Sequence, residues 1–362
     1  MHKLKKNMIY PYFKKYFPII KSLIHKYPDY EYTIVSPKAW TPEKDAGYIV
    51  NRETIGINVS NDFYGSLHNS DTLIIPNIEN IEFIKADVID KMEYALSNGH
   101  DILCYLILED NIVERLKLNS EKYNVKFDYI IENTAYNNFN FIEAEIKTPD
   151  IPIVFIGELF PDLDSTESAI TLHESLELSG YKSISIMSDI NTTIISSSYI
   201  TIPKTFFSND IIYSDKVFLI NGFINNIIER YRPDIIIFQM PEPMFKYNDT
   251  FTNGFGIYPY IISQAITPDF LIISAAYELI ESKFFTLLSQ NFKYRFGCEI
   301  DIVIISNIYF DLESSLDIKE MTYNHYNIDQ ISDNINDFYK DTDIPIISIK
   351  DVNKIFDIIF ND

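Results

Sequence analysis

The stretch VFIGELFPDLDSTESAITLHESLELSGYK, residues 154–182, reads as an apolar strand, a glycine at its tip, a polar loop and a helix opened by Ser165 and Thr166. A strand that passes through a short polar loop into a helix is the first half of a βαβ unit, and its next strand must run parallel to it. SISIM, residues 183–187, supplies that strand. Short runs rich in Ile, Val and Tyr alternate in this way with segments of helical period along the chain, which predicts an α/β protein built on parallel sheets.

Working outward, strands are expected at Ile153–Ile156, Ser183–Met187, Asp234–Gln239, Phe270–Ser274, Asp301–Ser306 and Pro345–Ile349, with helices at Ser165–Leu178, Asp215–Tyr231, Tyr258–Ala265 and Tyr277–Phe292. The first half repeats the rhythm, with strands at Met8–Tyr12, Tyr32–Ser36, Thr72–Pro76, Ile102–Leu106 and Phe127–Ile131. Between the third and fourth, Ile84, Val88, Met92 and Leu96 recur every four residues, and Asn98-Gly99 suits a helix end. The irregular, polar segment 133–152 places a domain boundary near residue 150. Residues 1–150 and 151–362 thus read as two Rossmann-like doubly wound domains with mostly parallel sheets, in which ligands sit at the carboxyl ends of the strands.

The loop after Gly157 has the outline of a phosphate-binding loop. Such a loop needs glycines that let backbone N–H groups curl around phosphate, and a lysine for the β and γ oxygens, spaced G-x-x-x-x-G-K-[ST]. Counting from Gly157, Asp162 stands where glycine belongs and Leu163 where lysine belongs. Glu158, Asp162 and Asp164 would repel a triphosphate unless magnesium intervened. The functional reading is a divergent Mg-nucleotide or anion site using Gly157, Glu158, Asp164, Ser165 and Thr166 at the helix N-terminus. The plainer and preferred reading is a helix capped by Asp164 or Ser165 beneath a solvated loop.

The loop after Gln239, MPEPMFKYNDTFTNGFGIYPY, joins the same edge. Its methionines, Phe251 and Phe255 offer apolar surface that a solvated loop does not need, so it reads as a lid or groove with Glu242, Lys246, Asn248, Asp249 and Asn253 as polar contacts. Packing of its aromatics on its own domain is the rival reading. Lys293 and Arg295 are the candidate anion contacts, with surface ion pairing as the alternative. Tyr277, Glu278, Ser306 and Asn307 follow strand ends as site neighbours or caps, and Trp40 covers the first core or anchors a partner. No Ser-His-Asp or Cys-His arrangement can be assembled on spacing.

Hydrophobic residues make up 46% of the chain and exclude a disordered protein. The net charge of −22 is uneven, since residues 1–28 carry seven lysines and no carboxylate. Nucleic acid is therefore not an expected partner of the acidic body. No run is long enough for a membrane span, and two cysteines in apolar surroundings, Cys104 and Cys298, suit a reducing cytoplasm. Six scattered histidines give a zinc site no support.

VSPKAWTPEKDAGYI, DTLIIP with ALSNGHDILC, and above all YNDTFTNGFGIYPYIISQAITPDFLIISAAYE followed by FKYRFGCEIDIVIISN resemble one family. It is the clostridial peptide maturation system proteins, found with Cys-rich bacteriocin-like peptides and a radical SAM peptide maturase. Members carry a lysine just before the helix of the P-loop-like segment, where this chain has Ser165. The order of segments also resembles proteins with a Rossmann-like front and a degenerate P-loop NTPase back. The resemblance implies an accessory protein of RiPP natural-product biosynthesis that binds the precursor peptide or the maturase. The alternative is a divergent Mg-dependent NTPase or ATP-using ligase, with Asp162, Glu242 and Asp249 holding the metal.

Overall fold

The computed structural model describes residues 5–37, 43–78, 84–131, 145–277, 282–318, 321–338 and 342–360. Trp40 and Glu278 lie outside them. The chain divides into two compact units, Met1–Glu132 and Asn133–Asp362.

The first unit holds strands β1 (Lys5–Ile9), β2 (Tyr30–Val35), β3 (Val59–Ser60), β4 (Thr72–Ile75), β5 (Asp101–Cys104) and β6 (Phe127–Tyr129). They form one sheet in the order β3-β2-β1-β4-β5-β6, every pair parallel. That is the strand order of a dinucleotide-binding sheet, with its switch point between β1 and β4. The turn after β1 has no glycine. It carries Tyr10, Pro11 and Tyr12, both tyrosines buried, and β1 ends at Ile9 rather than reaching Tyr12. Helices α1 (Phe17–Lys26), α2 (Ala46–Ile49), α3 (Phe63–His68), α4 (Lys85–Ser97) and α5 (Asp110–Tyr123) complete the unit. Val88, Met92 and Leu96 are fully buried, as their four-residue spacing requires.

The second unit holds β7 (Ile153–Glu158), α6 (Ser165–Leu178), β8 (Ser183–Met187), β9 (Tyr199–Thr201), α7 (Tyr213–Tyr231), β10 (Ile235–Gln239), α8 (Ile257–Ala265), β11 (Phe270–Ala275), α9 (Ser282–Phe296) and β12 (Ile302–Ile305). An antiparallel hairpin follows, β13 (Ile308–Phe310) with β14 (Tyr323–His325), and α10 (Leu312–Ile318) lies between its strands. Then come α11 (Ile328–Phe338), β15 (Ile346–Ser348) and α12 (Ile355–Phe360). The main sheet runs β15-β12-β11-β7-β10-β8-β9 and is parallel throughout. Lys147 belongs to this unit: its N–H donates to Asn221 Oδ1 of α7, and its carbonyl accepts from Asn221 Nδ2. The segment before β7 is therefore part of the second unit, and the division falls earlier than residue 150.

Register assigns the faces. Ile153, Phe155 and Gly157 point one way along β7, and the buried residues of that face form a continuous core with Phe223, Ile261, Phe285 and Phe292 of α7, α8 and α9. Val154, Ile156 and Glu158 point the other way. Gln239 pairs with Ile156, and Ser274 pairs with Glu158. Glu158, Gln239 and Ser274 therefore share one face at the carboxyl ends of three adjacent strands. Helix α6 covers that face, fastened to β8 by His173, whose Nδ1 lies 3.0 Å from Ser183 Oγ and 2.9 Å from Ser185 Oγ.

Candidate functional site

Residues 159–164 turn from β7 into α6 through Asp162 (φ 64°) and Asp164 (φ 53°), two left-handed residues where a phosphate loop would have glycine. The anion position of the turn is taken from within. Leu163 N–H donates to Glu158 Oε2 at 3.2 Å, and the Ser165 hydroxyl donates to the same oxygen at 2.8 Å. A backbone N–H and a helix-opening hydroxyl are the groups a bound phosphate oxygen would use. Burial pushes the Glu158 carboxyl up to about 8, an effect that Asp162 and Asp164 reinforce and the bond from Ser165 opposes. The expected caps are not formed. Asp164 stands at the N-cap but makes no side-chain cap bond, and Ser165 turns to Glu158 instead.

Gln239 closes the network from β10. Its amide donates to Ser165 Oγ (3.0 Å) and Thr166 Oγ1 (2.8 Å), while its carbonyl accepts from the Ser188 N–H and hydroxyl at 3.2 and 3.1 Å. In phosphoryl-transfer sites of this outline, the hydroxyl and a carboxylate on the neighbouring strand hold magnesium together. Here that strand presents a neutral amide whose donors already occupy both hydroxyls. Gly157 serves packing, because a Cβ there would lie 2.8 Å from Met244 Cγ and Sδ. The sequence reading missed Gln239, although period 2 along β10 and the end of its apolar run mark it. It also missed Tyr323 of β14, whose hydroxyl is held above its usual range by burial, and then by Asp162 and Glu158.

The loop 240–256 is a packed cap with one exposed side. Met240, Met244 and Phe251 are buried. Tyr247 meets Phe160 and Phe310 edge-on, each at 4.8 Å, and Phe251 meets Phe310 at 5.5 Å. Asn248 is spent on the loop's own turn, its Oδ1 accepting from Thr250 N and Phe251 N at 2.8 Å. Lys246 pairs with Asp249 at 2.7 Å in solvent, and that bond holds the Asp249 carboxyl below its usual range. Burial raises Glu242, whose carboxylate faces Gly254; its Oε2 and Asn253 Nδ2 are buried without hydrogen-bond partners. Asp162, Glu242 and Asp249 are not gathered, and among the described residues no group of three or more His, Cys, Asp or Glu is placed to hold a metal ion.

The loop ends in four consecutive left-handed residues, Asn253, Gly254, Phe255 and Gly256. Such a run strains the two that are not glycine. Arg295, in the last turn of α9, holds it by donating from Nη2 to the carbonyls of Phe255 and Gly256. Phe255, 51% exposed, is thereby displayed beside Ile257 and Tyr260 of α8, which are also exposed. The two expected anion contacts thus differ: Lys293 pairs with Glu299 at 2.7 Å, while Arg295 clamps backbone. Ser306 Oγ accepts from Ile308 N, Tyr277 N–H donates to the Ile308 carbonyl, and Asn307 Nδ2 donates to the Tyr326 carbonyl, so all three shape the hairpin.

No family model and no curated protein matches this chain. Among solved structures it is similar to a DUF1611 family protein from Anabaena variabilis, with 8% identity, coverage of 99% of this chain and 100% of that one, and a TM-score of 0.57. A homoserine dehydrogenase from S. aureus overlaps 36% of this chain and 33% of its own at a TM-score of 0.26 and 12% identity, too little to carry an argument. Among the described residues no helix is long and apolar enough to cross a membrane. The chain is a mixed α/β protein of two Rossmann-like units with parallel main sheets, a fold it shares along its whole length with the DUF1611 protein.

Proposed function

We propose that this chain is a binding protein that assists maturation of a ribosomally made, Cys-rich peptide by docking the precursor or the radical SAM maturase. One observation carries the reading. Exposed Phe255 is mounted on a strained, clamped turn, and backbone strain of about 1–3 kcal/mol per residue persists only where the surrounding structure over-determines it. An aromatic presented rigidly to solvent loses little entropy on binding a partner. The P-loop-like edge supports the same reading, because Glu158 already accepts from the Leu163 N–H and Ser165 hydroxyl that a phosphate oxygen would use, and the Gln239 amide already donates to the hydroxyl oxygens that magnesium would need. The resemblance of FTNGFGIYPYIISQAITPDF to the peptide maturation proteins supplies the partner class.

The test is fluorescence anisotropy of the labelled precursor titrated with the protein, with and without Mg·ATP. Micromolar or tighter binding that ignores nucleotide is the expected outcome. Binding that requires Mg·ATP would replace this reading with an ATP-dependent enzyme.

A further inference from the structure

Strand β2 outruns its outer neighbour. β1 pairs with it from Tyr30 to Ile34, whereas β3 meets it only at Ile34 and Val35. Residues 56–58, which lead into β3, stand off from residues 30–33, and a groove of about 400 Å³ lies between them with Ile24 of α1 in its wall. The ladder fixes which backbone groups face it. Ser36 N–H donates to the Ser60 carbonyl on the β3 side, and the Val35 carbonyl accepts from Tyr12 N–H on the β1 side. Successive residues of a strand turn their N–H and C=O to opposite sides, so Tyr32 presents both groups to the groove, with no backbone partner there among the described residues. The Tyr30 carbonyl faces the same way, while the Tyr30 N–H donates to the Tyr27 carbonyl at 3.0 Å. An open edge of this kind is a template for a further strand, and edges that must stay single carry lysine, proline or an inward charge. Residues 30–33 are Tyr, Glu, Tyr and Thr, and the one charge, Glu31, pairs with Lys6 of β1 at 3.3 Å.

We infer that an extended, uncharged stretch of the precursor peptide adds to this edge as a strand, exchanging main-chain hydrogen bonds with Tyr32 and setting apolar side chains against Ile24 and Ile57, both half-buried. This rests on the peptide-binding reading above and gives it a second contact, made by main chain rather than by Phe255. The backbone groups select the occupant. An anion in the groove would meet the Tyr32 carbonyl and Glu31, and a cation would meet the Tyr32 N–H and Lys6. An extended peptide satisfies the donor and the acceptor together, which is how a strand edge binds a chain with little regard to its charge.

The experiment reads amide hydrogen exchange residue by residue, by NMR on the full isotope-labelled chain, with and without a saturating amount of the precursor. In the free chain the Tyr32 N–H is expected to exchange about 10-fold faster than the Ile34 N–H, which β3 covers, and to slow by about 10-fold when the precursor is bound. Ile57→Asp, which puts a charge into the groove wall without touching β2, should weaken precursor binding about 10-fold. Unchanged affinity in that variant overturns the groove as the site. Because a variant can also disturb the loop, exchange on the native chain decides. Precursor binding with Tyr32 exchange unchanged overturns the added strand and leaves the Phe255 reading standing. Protection of Tyr32 that exists without peptide and grows with protein concentration gives the edge to a second copy of the chain, and overturns it as well. A precursor that does not bind removes this inference together with the reading it rests on.

Discussion

Glu158 is the residue whose chemistry is easiest to expose. Its carboxyl keeps its proton up to about 8 in the folded chain, against ~4.3 when unfolded. Below the lower value both states are protonated and its contribution to stability is complete. As pH rises from there to about 8, the unfolded chain sheds a proton that the folded chain retains, so stability falls; above about 8 there is no further loss. Thermal melts across that window should show the native chain losing stability relative to Glu158→Gln, by on the order of a few kcal/mol. Parallel curves would mean the carboxyl is not buried as described. Gly157 gives a second test. Gly157→Ala presses on Met244 and should cost roughly 1–3 kcal/mol, and Met244→Ala should recover part of it in a double-mutant cycle. Additive losses would place the sulfur elsewhere.

Among the elements, the left-handed turn is the one most open to substitution. A Cβ on Gly256 would meet the Met244 carbonyl at 2.1 Å on a backbone with φ +64°, so Gly256→Ala should lower chemical-denaturation stability by more than about 2 kcal/mol. Phe255→Gly removes strain along with the exposed ring, so stability should hold within about 1 kcal/mol while precursor affinity drops. A variant that melts early would show that the ring is structural. The βαβ pattern was legible because β7, α6 and β8 each carry an unbroken signal: a buried apolar run, a helical period, a second run. β3, β9, β13 and β14 were not legible, because strands of two or three residues are too short for a period to show. β6 and β15 are as short and were legible only through the longer runs FDYII and PIISI around them. α9 was expected from Tyr277; residues 278–281 lie outside the described residues, and the described helix runs from Ser282 to Phe296. The loop 240–256 stood out through its aromatics, yet its clamp could not be read, since Arg295 lies 40 residues away along the chain. At the carboxyl edge, Glu158 was counted as a repelling charge. Only its burial beside Leu163 N–H shows it to be the occupant of the turn.

For the molecule as a whole, the net charge of −22 is a standing repulsion that the folded state concentrates. Raising sodium chloride from about 0.02 to 0.3 M should therefore raise the melting temperature by a few degrees, and a fall would show that local ion pairs outweigh the overall charge. The first unit has the strand order of a dinucleotide-binding sheet, yet tyrosines occupy the turn where glycines would approach a pyrophosphate. In the second unit the Glu158 carboxyl accepts the Leu163 N–H and Ser165 hydroxyl bonds that an anion at the turn would use. The clamp from Arg295 to Phe255 and Gly256 also has a meaning in time. A ribosome that has made the loop has not yet made the arginine, and the turn has nothing to hold it until α9 has emerged and docked. The rigid display of Phe255 is thus withheld from a nascent chain, or one truncated before α9, and any partner that needs it rigid engages only a chain in which α9 has docked.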